Sequence, residues 1–225
     1  KDIKDVRIVC MGAGAAAIAC TKLLHSLGVD PLKTMMLDSR GVIHTERTDL
    51  SELKQQFSIS TEARTLADAM DGCDLFLGVS QPNPIDESML MSMAQNPIIL
   101  AMANPVPEIS PAVVIKHRSD AIMATGRSDY PNQVNNVLCF PFLFRGALDV
   151  GATAVTENMK HACVKALAEL ATLPVTDAVQ ASYPGQNLVF GREYILPKPF
   201  DNRLITTIAP AVAQAAIDDG VATLP

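Results

Sequence analysis

Short aliphatic runs alternate with stretches whose apolar positions recur every three or four residues. Val6, Ile8 and Val9 form the first run, and residues 34–37, 74–80, 97–103 and 121–125 form the later ones. Each reads as a buried strand bounded by small or turn-forming residues. Ile18, Leu23, Leu24 and Leu27 mark a helix after the first run, and Leu50, Leu53 and Phe57 are spaced for one buried helix face within residues 47–62. Shorter helices are predicted over residues 66–70 and 87–94. Strands separated by helices predict an α/β fold: Rossmann-like and doubly wound, a mostly parallel sheet with helices on both faces. Ligands of such sheets sit at the strands' carboxyl ends, which puts Asp38, Ser80, Asn104 and Thr125 on one rim.

Helical periodicity continues over residues 134–150, where Pro141 and Gly146 disturb it. Residues 157–171 form an amphipathic helix with Thr156 as N-cap and Met159, Ala162, Cys163, Ala166, Leu167 and Leu170 along one stripe. Residues 174–192 read as an irregular excursion with a turn at Tyr183-Pro184-Gly185. A last helix over residues 203–218 stops at Gly220, and Pro210 predicts a kink or a two-part helix.

The first strand ends in Gly12-Ala13-Gly14 and runs straight into the first helix. Gly12 permits the turn and Gly14 admits an anion to the backbone, while the unpaired N–H groups of the helix's first turn supply donors and partial positive charge. Ala17 takes the place of a third glycine, which sets only the distance between helix and strand. Asp38 lies 24 residues beyond Gly14, close to the roughly 20-residue spacing of an acid that meets adenosine ribose hydroxyls. Residues 1–41 therefore read as a βαβ unit for a dinucleotide, with Gly12, Ala13, Gly14, Ala15 and Ala16 around the diphosphate. The small-residue turn at residues 78–81 is read either as room for a cofactor beside Ser80 or as packing.

The 225 residues carry a net charge of −6 and 48% hydrophobic residues, enough for one large domain or a domain with an appendage. No Lys/Arg cluster interleaves with aromatics, which argues against nucleic acid, and no apolar run reaches the roughly 20 residues of a membrane span. Five cysteines stand singly among apolar residues, as reduced core thiols of a cytoplasmic protein. No His/carboxylate spacing suggests a metal site, and none of the four histidines is placed for catalysis. Asp129-Tyr130 is an acid and phenol pair in the polar run of residues 125–136. Asn135 and Asn136 enter an otherwise apolar helix, and buried amides there and at Asn104 need partners that a ligand could supply. The residues equip the chain to bind a cofactor rather than to turn over a substrate unaided.

Residues 12–20, 38–43, 103–108, 124–144 (ATGRSDYPNQVNNVLCFPFLF) and 195–201 resemble the nucleotide-binding domain of malic enzymes, in particular the large bacterial NADP-dependent type. The likeness covers all 225 residues as one NAD(P)-binding domain. It implies oxidation and decarboxylation of malate to pyruvate with NADP or NAD, Mg or Mn in the full-length enzyme, a homo-oligomer, and a phosphotransacetylase-like domain downstream. It also implies that Asn104 and Asn136, with Asn135 beside them, orient the nicotinamide and the malate carboxylates. The family's catalytic tyrosine, lysine and metal-binding carboxylates lie upstream of the glycine turn, so the isolated chain is expected to be catalytically silent. Asp38 alone favours NAD, whereas Ser39, Arg40 and Arg47 are candidates to receive a 2′-phosphate, and the resemblance tips the choice to NADP. Two other readings stay open: the cofactor domain of another two-domain dehydrogenase, and a nucleotide-sensing module without chemistry.

Overall fold

In the computed structural model, which describes residues 1–224, every sheet pairing but one is parallel. The strands β1 (Ile8–Met11), β2 (Thr34–Asp38), β3 (Gly41–Val42), β4 (Leu75–Gly78), β5 (Ile98–Ala101) and β6 (Ile122–Thr125) lie in the order β3-β2-β1-β4-β5-β6. Met11 is level with Leu37 and Gly78, Gly78 with Ala101, and Ala101 with Thr125, so the parallel strands end on one rim. The winding reverses between β1 and β4, the place where a doubly wound sheet opens a crevice. Only the edge pair β2/β3 is antiparallel, a hairpin turned at Ser39-Arg40 and entering β3 at Gly41 with φ 107°.

These strands and five helices, α1 (Ala15–Ser26), α2 (Glu52–Gln55), α3 (Leu66–Met70), α4 (Glu87–Ser92) and α5 (Pro111–His117), make up a unit spanning Lys1–Tyr130. Successive strand residues point to opposite faces. Val9, Leu37, Phe76 and Ile99 pack with Ala69, Met70, Leu90 and Val114 of α3, α4 and α5. Cys10, Met36, Leu77 and Leu100 pack with Ala17, Ile18 and Leu24 of α1. Helices therefore cover both faces, as the sequence pattern implies.

Three local expectations change. The helix expected over residues 47–62 shrinks to the single turn α2, and Leu53 is 45% exposed. The backbone is used differently there: the N–H of Thr45 donates to the Ile59 carbonyl at 3.1 Å, in a bridge between His44 and Ile59. The helix expected to reach residue 94 ends at Ser92, because Met93 is extended. The segment after β5 contains α5, unforeseen in sequence, with Pro111 in its first turn, where a missing N–H loses no bond.

From Pro131 onward a second unit holds α6 (Phe140–Asp149), α7 (Glu157–Thr172), α8 (Asp177–Ser182) and α9 (Arg203–Asp218). Met159, Cys163, Ala166 and Leu170 of α7 meet Leu204, Ile208, Val212 and Ala216 of α9 in its core. Thr156 caps α7 by accepting from the Met159 N–H at 3.2 Å. The helix expected from residue 134 starts only at Phe140, after a 3₁₀ turn, and Pro141 falls in its first turn. Gly146 lets α9 come close, since a Cβ there would stand 2.9 Å from Val212 Cβ. The expected excursion at residues 174–192 contains α8, capped by Thr176, and α9 is a single helix with Pro210 inside it.

The five cysteines are free. Burial pushes the Cys73 thiol up to about 12 and the Cys10 thiol to about 11. Cys139 and Cys163 meet in the core of the second unit, where each thiol shifts the other, Cys139 downward and Cys163 upward. Among the described residues no helix is long and apolar enough to cross a membrane.

Candidate functional site

The turn after β1 needs its two glycines for different reasons. Gly12 has φ 130°, its N–H donates to the Leu37 carbonyl at 2.9 Å, and a Cβ would stand 3.0 Å from the Val79 carbonyl oxygen. Gly14, the N-cap of α1, has an ordinary φ of −87°, and apart from its chain neighbours nothing lies within 4 Å of where its Cβ would be. The fold leaves that space open. Gly14 brings no side chain to cap α1, and no acid stands in the first turn, so the orphan N–H groups around Ala15 and Ala16 face an anion's approach unopposed. Ala17 is buried in the core beneath the turn.

A cavity of about 730 Å³ opens here, within the size range of small-molecule sites. Of the residues expected at a cofactor, Gly12, Ala13, Gly14, Asp38, Ser39 and Ser80 line it. Ala15, Ala16 and Arg40 are exposed beside those residues in the chain. Asn104 is exposed on the same rim, three residues past β5, and its peptide bond to Pro105 is cis.

Asp38 is already crowded with donors. Its Oδ1 accepts from the Arg40 N–H at 3.0 Å and Arg47 Nη1 at 2.8 Å, and its Oδ2 from Arg47 Nη2 at 3.1 Å and Lys54 Nζ at 2.7 Å. These fill the roughly four acceptor positions of a carboxylate. Burial pushes its pKa up, but the bonds from Arg47 and Lys54 outweigh that and hold it at about 2. Arg47 also binds Asp49, as does Arg40 at 2.8 Å. Lys54, which lines the cavity, escaped the sequence reading because nothing in its polar surroundings ties it to a carboxylate 16 residues earlier.

Glu108 was missed as well. It is completely buried, and its two carboxyl oxygens accept from the Ser80 N–H at 3.1 Å and the Ala103 N–H at 3.0 Å. Asp129 is paired with Arg127, Nε to Oδ1 at 2.8 Å, and that guanidinium lies 5.1 Å from the Tyr130 ring. With Asp38, Glu108 and Asp129 all engaged, the donor set does not fit a divalent cation. Among the described residues no three His, Cys, Asp or Glu side chains are grouped as metal ligands would be.

In the second unit, Asn135 accepts from the Val137 N–H at 3.0 Å and so caps the 3₁₀ turn Asn136–Leu138, while Asn136 is exposed. The deeply buried amide is Asn132. Its Nδ2 donates to the Arg192 carbonyl at 2.7 Å and its Oδ1 accepts from the Ile195 N–H at 2.9 Å, so its needs are met by backbone rather than by a ligand.

Residues 1–187 match the model of a family described as malic enzyme, NAD binding domain. The chain belongs to this family. It is 54% identical over its whole length to an NADP-dependent malic enzyme of Halomonas elongata, of which it spans 53%. It is 49% identical to an NAD-dependent malic enzyme of Rhizobium meliloti, of which it spans 29%. The chain thus corresponds to about half, or less than a third, of these relatives' length. The crystal structure of Entamoeba histolytica malic enzyme superimposes on it with a TM-score of 0.86 at 34% identity, covering 100% of this chain and 45% of that one.

Proposed function

We propose that this chain is the NADP-binding domain of an enzyme that oxidises and decarboxylates malate to pyruvate and CO2, with NAD as the alternative cofactor. The observation that carries the reading is the unfilled space at Gly14, which faces the start of α1 at the point where the sheet's winding reverses. A malic enzyme domain needs a dinucleotide site, and that space fits a diphosphate oxygen. The names of the relatives supply the substrate.

In this reading the N–H groups from Gly12 to Ala16 hold the diphosphate, and a bound nicotinamide supplies the hydride acceptor. Ser80 and Asn104 flank its path along the rim. Asn104 and Asn136, with Asn135, orient the ring and the malate carboxylates, because neutral amides fix an acid without competing for its proton. Asp38 organises Lys54 and Arg47 instead of meeting the ribose. Lys54 and the 71%-exposed Arg40 then present cations to a 2′-phosphate with Ser39 beside them, which favours NADP. Proton transfer and the Mg or Mn ion are assigned to protein outside these 225 residues, since Asp38, Glu108 and Asp129 are otherwise engaged. A cytoplasmic homo-oligomer, with a catalytic segment before this domain and a phosphotransacetylase-like one after it, completes the proposal.

The test is malate-dependent nucleotide reduction with Mn present. The full-length protein reduces NADP in preference to NAD, and the 225-residue chain alone reduces neither. A full-length protein inert toward malate with both nucleotides overturns the reading, and turnover by the short chain overturns its division of labour.

A further inference from the structure

We propose that Glu108 is a positioning residue whose buried carboxyl group staples together the loops after β4 and β5, and thereby sets the nicotinamide half of the cleft. This rests on the dinucleotide reading above. The loop after β4 carries Ser80 and the loop after β5 carries Asn104, and neither Ser80 nor Ala103 belongs to a strand. One side chain from the end of the second loop accepts an N–H from each, at 3.1 and 3.0 Å. The same strip of chain adds two backbone bonds to the first loop: the Asn83 N–H donates to the Pro107 carbonyl and the Ile85 N–H to that of Glu108. The fold keeps a place for this carboxyl group, because a Cβ on Gly78 would stand 2.5 and 2.7 Å from its oxygens. Gly78 has no positive φ, so the absent side chain serves the carboxyl group and not the backbone. In the phosphate-binding turn Gly12 donates to the Leu37 carbonyl and lies against Val79, whereas Glu108 bonds the amides of Ser80 and Ala103.

Glu108→Gln keeps the size of the side chain but turns one acceptor into a donor, so one of the two amides loses its partner. Binding of NADP and of 2′,5′-ADP, which lacks the nicotinamide half, is measured by calorimetry on the full-length protein. The dinucleotide weakens about tenfold, as expected for one unsatisfied buried N–H, while the adenosine fragment stays within about twofold. A general structural role would weaken both alike, and that result overturns the proposal. Unchanged dinucleotide binding overturns it too. Wild-type protein that binds neither probe sinks the dinucleotide reading and the staple with it, whereas tight wild-type binding beside an unaffected variant sinks the staple alone. If the variant fails to fold, amide exchange in the wild-type protein decides: slow exchange at Ser80 and Ala103 supports the staple, and fast exchange at both removes it.

Discussion

Arg47 grips Asp38 with both terminal guanidinium nitrogens, and the two side chains are only 9% and 8% exposed. A pair this well hidden is hardly screened, and leaving one partner alone is expensive. Asp38→Asn therefore lowers folding stability by about 2 to 3 kcal/mol at neutral pH, read from urea unfolding.

The same contact has a pH signature. The Asp38 carboxyl titrates near 3.8 when unfolded and at about 2 in the fold, so its stabilisation is present above pH 3.8 and drains away as pH falls from there toward 2. The gap between wild type and Asp38→Asn, about 2 to 3 kcal/mol at neutral pH, narrows across that window. A gap that does not change with pH removes the ionised pair from the account.

Gly14 and Gly12 separate the demands of a ligand from those of the fold. Gly14→Ala puts a methyl group into space that nothing in the protein occupies, so the melting temperature holds while nucleotide affinity falls by about tenfold or more. Gly12→Ala meets the Val79 carbonyl and a φ of 130°, and is expected to lose about 1 to 3 kcal/mol of stability even without nucleotide. Equal affinity in Gly14→Ala and wild type would move the diphosphate elsewhere.

Cofactor choice is tested by removing cations one at a time. Lys54→Ala weakens NADP about tenfold, the worth of one charge-assisted contact, and leaves NAD unchanged. Arg40→Ala separates the cation bound to Asp49 from the one bound to Asp38, and unchanged NADP affinity in that variant removes Arg40 from the site. If Lys54→Ala weakens both nucleotides alike, its part is to hold Asp38 and not to read the phosphate.

Asn132 has φ 55° and clamps residues 192–195 through both ends of its amide. Asn132→Ala removes both partly buried hydrogen bonds, and is expected to lower stability by about 1 to 2 kcal/mol in thermal unfolding. Asn132→Gly suits the backbone and still loses the clamp, so it should recover little of that loss.

The five parallel strands were legible because each is a short aliphatic run closed by a small or polar residue, and β1 to β2 through α1 carries the glycine turn and Asp38 at recognisable spacing. The capped helix α7 and the bounds of α9 were legible from local signals, Thr156 and Gly220. Leu53 misled because a three-to-four spacing recurs by chance in a polar segment whose backbone pairs at His44 and Ile59 instead. The strand β3 has only two residues, and α5 and α8 lie among prolines, Pro107 and Pro111 for the first and Pro174 and Pro184 for the second, that read as loop.

By itself, the order of residues determined the alternation of strand and helix, the glycine turn and the family, because each depends on neighbours within a few positions of one another. Only the tertiary structure decided what Asp38, Asn132 and Glu108 do. Lys54 reaches Asp38 across 16 residues, Asn132 reaches Ile195 across 63, and Glu108 fits a hollow left by Gly78. A hydrogen-bonding side chain takes its role from whichever partner folding delivers, and that partner has no fixed offset along the chain.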